Sequence, residues 1–120
     1  MRLLMLTGAV LCGIAVACGA FGAHALQPRL DAQALGWWQT AVQYQMWHGL
    51  AVLAICAIPQ ARLPAWLLAA GAVIFASTLY AMALGAPRWL GAVTPAGGAT
   101  MIAGWALLAL RMLSARPSTD

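Results

Sequence analysis

Four apolar stretches that contain no Asp, Glu, Lys or Arg fill most of this 120-residue chain. They cover residues 3–23, 38–58, 65–84 and 90–110. A helix that spans the hydrocarbon core of a bilayer needs about 20 predominantly apolar residues, and each stretch is about that long. The pattern therefore predicts a polytopic membrane protein with four spans.

The composition leaves room for little besides the membrane part. Apolar residues make up 64% of the chain and charged residues 7%, whereas a soluble domain has roughly 25% charged residues. The longest polar segment is the short stretch 27–36, so no domain outside the membrane is expected. We predict one all-α domain over residues 1–113, an antiparallel up-down four-helix bundle, followed by a short polar cytoplasmic tail at 114–120. Its helices are expected at about 3–25, 37–58, 64–84 and 94–113.

The charges indicate an orientation. The net charge of +4 comes from six Arg against two Asp, with no Lys and no Glu. If the N-terminus faces the cytoplasm, that side holds Arg2, Arg62, Arg111 and Arg116, and the opposite loops hold Arg29 and Arg88. Cytoplasmic loops carry the excess of basic residues in membrane proteins. The distribution therefore predicts an N-in, C-in orientation, and no nucleic-acid partner is expected.

The first stretch has some features of a cleaved signal peptide. Arg2 precedes an apolar run that ends at Ala23-His24-Ala25, which resembles an A-x-A cleavage site. The run of about 21 residues is longer than the 7–15 residues of a signal-peptide core and is long enough to span. We expect residues 1–26 to remain as the first helix. Its rows of small residues favour a central packing position.

Residues that typically begin helices or form turns lie between the apolar stretches. Asp31 is a suitable N-cap, and residues 31–37 are expected to form an amphipathic turn in the interface before helix 2. Pro59 and Pro64 enclose a short turn, which predicts a tight antiparallel hairpin of helices 2 and 3. The pair Thr94-Pro95 is typical of the N-cap and first residue of a helix, here helix 4.

Polar side chains enter the membrane mainly on helix 2. At 100° per residue, Thr40, Tyr44 and His48 lie on one stripe, with Gln43 and Gln45 on its two sides. Polar groups that face lipid cost several kcal/mol each. The stripe is therefore expected to face the interior of the protein.

A polar corner is predicted where helix 2 begins, because helix 1 ends and helix 4 begins on the same side of the membrane. His24 is expected to meet Gln39, Gln43 or Thr94-Pro95 there, while His48 lies about 15 Å deeper at ~1.5 Å per residue. The corner is either a pocket, open to the non-cytoplasmic side, or a set of hydrogen bonds that hold the helices together. The candidate ligand- or partner-binding residues are His24, Gln39, Thr40, Gln43, Tyr44, His48 and Thr94.

Four ordered motifs make the chain resemble domain-of-unknown-function family 423, also called uncharacterised protein family 0382. The motifs are Gly19-Ala20-Phe21-Gly22-Ala23-His24-Ala25-Leu26, Trp38-Gln39-Thr40-Ala41-Val42-Gln43-Tyr44-Gln45 with His48, Phe75-Ala76-Ser77-Thr78-Leu79-Tyr80, and Arg88-Trp89-Leu90-Gly91-Ala92-Val93-Thr94-Pro95-Ala96-Gly97-Gly98 with Gly104-Trp105. In the third motif, Ser77 stands where the family is expected to have glycine. The resemblance implies a small four-span protein of the plasma membrane, in a family of bacteria and mitochondria without an assigned activity.

The leading functional hypothesis is a non-enzymatic membrane protein that binds a partner, a lipid or a small ligand at the polar corner. No catalytic residue is proposed, because the sequence has no phosphate-binding glycine loop, paired carboxylates or H-E-x-x-H motif. The expected partners are the lipid bilayer and another membrane protein or a second copy of the chain. The alternative is a small transporter or channel subunit that works as an oligomer, with His48 as the deep titratable group in place of a carboxylate.

A third interpretation is haem or metal binding through His24 and His48. The two histidines are expected at different depths, so they should not share one metal ion. The cysteines Cys12, Cys18 and Cys56 lie in apolar stretches without metal-binding spacing and are typical of small buried residues. No metal site and no cofactor are therefore expected.

Overall fold

The computed structural model is helical throughout most of its length and describes residues 1–117. The last part of the predicted polar tail, residues 118–120, lies outside the described residues. The long helices are α1 (Arg2–Phe21), α2 (Ala32–Ile55), α3 (Arg62–Ala83) and α4 (Thr94–Ser114). Shorter helical turns are a π-turn at Gly22–Leu26 and 3₁₀ turns at Pro59–Ala61 and Arg88–Ala92. The predicted all-α class is confirmed.

The helices run alternately up and down. At one end of the molecule, Arg111 of α4 donates to the backbone oxygen of Gln60 in the α2–α3 turn at 3.0 Å. At the other end, Arg88 in the α3–α4 connection donates to Oε1 of Gln33 on α2 at 3.0 Å. Short connections of this kind place each helix antiparallel to the one before it. The predicted up-down order is therefore present.

The four helices form an open row and not a closed bundle. Within residues 1–117, extensive contacts join α1 to α2, α2 to α3 and α3 to α4, whereas α1 meets α3 much less and has no comparable contact with α4. In α3, 50% of the most apolar segment is buried, against 22% in α1 and 22% in α4. The prediction that helix 1 is the central packing surface is therefore wrong, because α3 holds that place.

Only some of the small residues of α1 lie on its packed face. Gly13 is exposed, and a Cβ atom added there would meet nothing within 4 Å. The face that packs against α2 contains Gly8 and Ala15 together with the larger side chains Leu4 and Leu11, all of them buried. In a chain so rich in alanine and glycine, several helix faces carry rows of small residues. Such a row therefore cannot show by itself which face a neighbouring helix covers.

Close approach of helix backbones occurs between α3 and α4 at glycines. A Cβ atom added to Gly97 would lie 2.5 Å from the backbone nitrogen of Phe75, and one added to Gly71 would lie 2.7 Å from the backbone nitrogen of Met101. Small residues permit such contact in lipid, where packing drives helix association. Ser77 is exposed and donates to its own helix, so its departure from the family pattern leaves this contact intact.

Two predicted helix starts need correction. Asp31 caps α2 as expected, since its Oδ1 accepts the backbone N–H of Ala34 at 2.8 Å. Residues 31–37, however, are not a separate interfacial turn, because α2 continues without a break from Ala32. Thr94 is the first residue of α4 and not its N-cap, and its hydroxyl can donate back to the carbonyl of Leu90 at 3.2 Å.

Three helical segments of the described chain are long and apolar enough to cross a membrane. They are Arg2–Leu26, Pro59–Ala83 and Arg88–Ser114. The remaining long helix, α2, has 24 residues, a length that corresponds to about 36 Å of helix. Its glutamines and its histidine make it less apolar than the others. The three apolar segments are consistent with a membrane protein.

Candidate functional site

The inner face of α2 carries a buried histidine, His48, which is 6% exposed. Its Nδ1 lies 2.8 Å from the backbone oxygen of Tyr44, and its Nε2 lies 3.1 Å from the indole N–H of Trp105 on α4. A carbonyl only accepts a hydrogen bond and an indole N–H only donates one. These partners therefore place the proton on Nδ1, and the lone pair of Nε2 is already engaged and not free for a metal ion.

The rest of the predicted stripe, Thr40 and Tyr44, is half-buried. The ring of Tyr44 packs against Phe75 of α3 with ring centroids 4.6 Å apart, and it stacks on His48 with an interplanar angle of 8°. The inward direction that the cost of polar groups in lipid predicts is thus observed for Tyr44 and His48.

Gln45 joins three helices. Its side chain is 4% exposed. Its Nε2 donates to the backbone oxygen of Leu11 on α1 at 2.9 Å, and its Oε1 accepts from the hydroxyl of Tyr80 on α3 at 2.9 Å. From the sequence, Gln45 is placed beside the stripe but is not included among the candidate site residues. Since Gln43 and Gln45 lie on opposite sides of the stripe, the neighbouring helices alone decide which one is buried.

Thr94 pairs with Thr78 of α3 and not with His24. The two hydroxyl oxygens are 2.7 Å apart. Thr94 also lines an apolar cavity next to Arg88, between α3 and the start of α4. His24 lies on the π-turn after α1, where its side chain is exposed. The predicted corner is therefore divided, because the α3–α4 contact holds Thr94 away from the α1–α2 side.

A groove of about 290 Å³ lies between the end of α1 and the first half of α2. We call it the α1–α2 groove. Trp38, which is 6% exposed, lies at its base and donates its indole N–H to the carbonyl of Cys18 at 2.8 Å. A Cβ atom added to Gly22 would meet the indole nitrogen at 2.6 Å. Glycine at this position is thus needed for the indole to lie against the π-turn.

Two of the predicted site residues line the α1–α2 groove. Gln39 and Gln43 are exposed, lie one helical turn apart on α2 and form its wall together with Val42. The opposite wall includes Ala23, the residue before His24. The structure therefore brings Gln39 and Gln43 together and places His24 beside the same groove.

The buried and the exposed polar side chains play different parts. Within residues 1–117, every buried side-chain nitrogen or oxygen atom has a hydrogen-bond partner in the protein. Gln45 and His48 are therefore satisfied internally and stabilise the packing of the helices. In the same residues, no three side chains of His, Cys, Asp or Glu come close enough together to hold a metal ion. The exposed glutamines of the groove are the groups with hydrogen-bonding capacity directed outward.

The chain is similar to proteins of one uncharacterised family. A family model described as "Protein of unknown function (DUF423)" matches residues 18–98. A UPF0382 membrane protein of Staphylococcus saprophyticus is 42% identical over 115 residues, which are 92% of this chain and 96% of that protein. The UPF0382 inner membrane protein YgdD of Escherichia coli K12 is 41% identical over 113 residues, 89% of this chain and 86% of that protein. No solved structure matches the chain.

The matched region begins at the end of α1 and extends into α4, so it contains the groove and the whole of α2. Relatives that cover most of the chain carry the name of membrane proteins, in agreement with the apolar helices. This membrane protein therefore belongs to the DUF423 family.

Proposed function

We propose that this protein is a non-enzymatic, four-span protein of the plasma membrane that binds a transmembrane helix of another membrane protein in the α1–α2 groove. The observation that carries the proposal is a contrast on α2. Gln45 and His48 are buried and hydrogen-bonded within the protein, whereas Gln39 and Gln43 are exposed at the groove.

The position of Gln43 makes its exposure costly. The residue lies close to the middle of α2 (Ala32–Ile55), so in a membrane-spanning α2 its amide faces hydrocarbon. An unsatisfied polar group in hydrocarbon costs several kcal/mol. A partner helix with a hydrogen-bonding side chain removes that cost, and such bonds between membrane helices contribute about 0.6–2 kcal/mol each.

The shape of the groove favours a helix over a small molecule. Its volume of about 290 Å³ is at the lower limit of small-molecule pockets, which measure roughly 300–1,000 Å³. Gly19 and the exposed Ala23 stand in its wall, and neither carries a large side chain that would hold a second helix away. Small residues of this kind permit close helix contact in lipid.

Packing supports a membrane-spanning α2. Val52 of α2 and Cys56, which follows directly after α2, belong to one buried cluster with Leu4 of α1 and Leu68 of α3. A helix packed in this way between two apolar helices crosses the membrane together with them. The plasma membrane is proposed from the relative YgdD, which is named an inner membrane protein, and the N-in, C-in orientation from the arginine distribution.

The alternative, a transporter or channel subunit, needs a polar path through the protein. Within residues 1–117, the buried polar side-chain atoms are hydrogen-bonded inside the protein. In addition, α3 and α4 touch backbone to backbone at Gly97, where an added Cβ atom would have no room. Both observations favour the binding role.

Site-specific photocrosslinking in cells tests the proposed function. A photoreactive side chain at position 43 is expected to give one discrete crosslinked band, whereas the same group at Ile102, which is 70% exposed on α4, is expected to give none. The substitutions Gln39→Leu and His24→Ala should weaken the band from position 43 without lowering the thermal stability of the protein. Equal bands at positions 43 and 102, or none at 43, would contradict the proposal. A band at twice the mass of the chain would show that the partner is a second copy.

A further inference from the structure

A second surface, separate from the α1–α2 groove, lies where α2 begins and α3 ends. An apolar cavity of about 430 Å³ runs there between Trp37 of α2, Phe75 and Leu79 of α3, and Pro95 of α4. We call it the Arg88 groove, because Arg88 stands in its wall. The neighbouring residues Trp37 and Trp38 thus line different cavities, one on each side of α2.

A polar cavity of about 460 Å³ adjoins the Arg88 groove. Its wall includes Arg29 and Asp31 from the α1–α2 connection. Trp37, Met82 and Arg88 line both cavities, so the two form one continuous surface feature. One part is apolar and lies along α3. The other part is polar and lies at the α1–α2 and α3–α4 connections.

The guanidinium of Arg88 is held at the junction. Its Nη2 donates to Oε1 of Gln33 at 3.0 Å, and its Cζ lies 5.8 Å from the centroid of the Trp37 ring. A guanidinium carries five N–H donors in a planar fork that matches carboxylate and phosphate oxygens. The bond to Gln33 uses one of them, so Arg88 is oriented and retains donors for an anion.

The polar cavity favours negative charge. Two arginines, Arg29 and Arg88, stand in its wall against one carboxylate, Asp31. The Asp31 carboxylate already accepts the backbone N–H of Ala34 as the cap of α2. The excess of positive charge is therefore at the mouth of an apolar groove, in the part of the protein where Trp89, 67% exposed, is typical of a membrane interface.

We infer that this composite site binds one anionic phospholipid of the adjacent leaflet. The phosphate lies between Arg88 and Arg29, and one acyl chain follows the Arg88 groove past Leu79 and Phe75. A free phosphate ion meets the same arginines but leaves the apolar groove unoccupied, which is why the lipid is the assigned ligand. The site goes beyond the proposed partner-binding function, since it shares no wall residue with the α1–α2 groove.

Native mass spectrometry of the protein released from nanodiscs tests this inference. The nanodiscs contain equal amounts of phosphatidylglycerol and phosphatidylcholine with identical acyl chains. One phosphatidylglycerol per chain is expected to remain bound in preference to phosphatidylcholine. Arg88→Gln should lower that retention about tenfold, the effect of losing a charge-assisted hydrogen bond, and Arg29→Gln should lower it in the same direction. Equal retention of the two lipids would overturn the inference.

Matched variants separate this site from general effects of charge. Arg62→Gln removes the same charge at the opposite end of the helices, since Arg62 is exposed at the start of α3. This variant should leave the retention of phosphatidylglycerol unchanged. An equal loss in Arg62→Gln and Arg88→Gln would contradict a local site. Gln39→Leu, which tests the partner groove, should also leave lipid retention unchanged, so the two proposals can fail independently.

A variant of the apolar groove separates the lipid from a free anion. Gly91 lines the groove, and a Cβ atom added there would lie 3.7 Å from the sulfur of Met82, an ordinary contact. Gly91→Leu should therefore fill the groove without disturbing the fold and lower the retention of phosphatidylglycerol. Excess inorganic phosphate should not release the lipid from the unsubstituted protein. Release by phosphate, or unchanged retention in Gly91→Leu, would overturn the placement of the acyl chain.

Discussion

Trp105 of α4 donates its indole N–H to Nε2 of His48 on α2 across 3.1 Å, and the two rings meet with an interplanar angle of 62°. Within the described residues, α2 and α4 have no extensive backbone contact. This hydrogen bond therefore ties the outer helix α4 to α2, while glycine contacts hold it against α3. It gives the deep histidine a structural role.

Removing the donor of this bond should weaken the protein measurably. Trp105→Phe keeps an aromatic ring but leaves Nε2 of His48 without its partner, so the free energy of unfolding in detergent should fall by about 1 kcal/mol. Trp66→Phe is the matched control, because Trp66 is 39% exposed and Trp105 is 44% exposed. His48→Ala should cost about 1–2 kcal/mol, and the double variant should cost less than the sum. Strict additivity would show that the bond does not contribute.

The two glutamines that lie on opposite sides of the stripe should respond differently to Leu. Gln45→Leu leaves the hydroxyl of Tyr80 and the carbonyl of Leu11 without their partner, and should lower the free energy of unfolding by about 1–3 kcal/mol. Gln43→Leu removes an exposed amide and should leave stability unchanged or raise it. Thermal unfolding in mild detergent measures both. A similar loss of stability in the two variants would show that burial does not distinguish them.

Two adjacent glycines of α4 provide a test of the α3–α4 contact. A Cβ atom at Gly97 would lie 2.5 Å from the backbone nitrogen of Phe75, whereas one at Gly98 would lie 4.0 Å from the ring of Phe75. Gly97→Ala should therefore destabilise the protein by about 1–3 kcal/mol through overpacking. Gly98→Ala should be neutral or stabilising by up to about 1 kcal/mol, because alanine favours the helix. The same unfolding measurement compares them, and equal effects would place the close approach elsewhere.

The distribution of arginines predicts the orientation of the chain. Both termini are expected in the cytoplasm, so a C-terminal alkaline phosphatase fusion should be inactive and a fluorescent-protein fusion should be bright. The side that holds Arg2, Arg62 and Arg111 carries the larger positive charge. A strongly active phosphatase fusion would reverse the assigned orientation.

Local patterns were sufficient for the helices but not for their arrangement. The uncharged stretches predicted all four helices, and Asp31 predicted the cap of α2, because hydropathy and capping depend on residues close in the chain. The start of α2 at Ala32 and the edge position of α1 were not predicted. Those features depend on which helix faces pack, and rows of small residues occur on several faces of these helices.

The sequence by itself determined the membrane class, the family resemblance and the inward direction of Tyr44 and His48, because a polar group in lipid is costly wherever it lies. The tertiary structure decided that Gln45 is buried while Gln43 is exposed, and that Thr94 is separated from His24. Helical periodicity relates residues of one helix to each other and carries no information about the neighbour on each side. Contacts between distant segments, such as the contact of Gly97 with Phe75, decide which helix lies against each face.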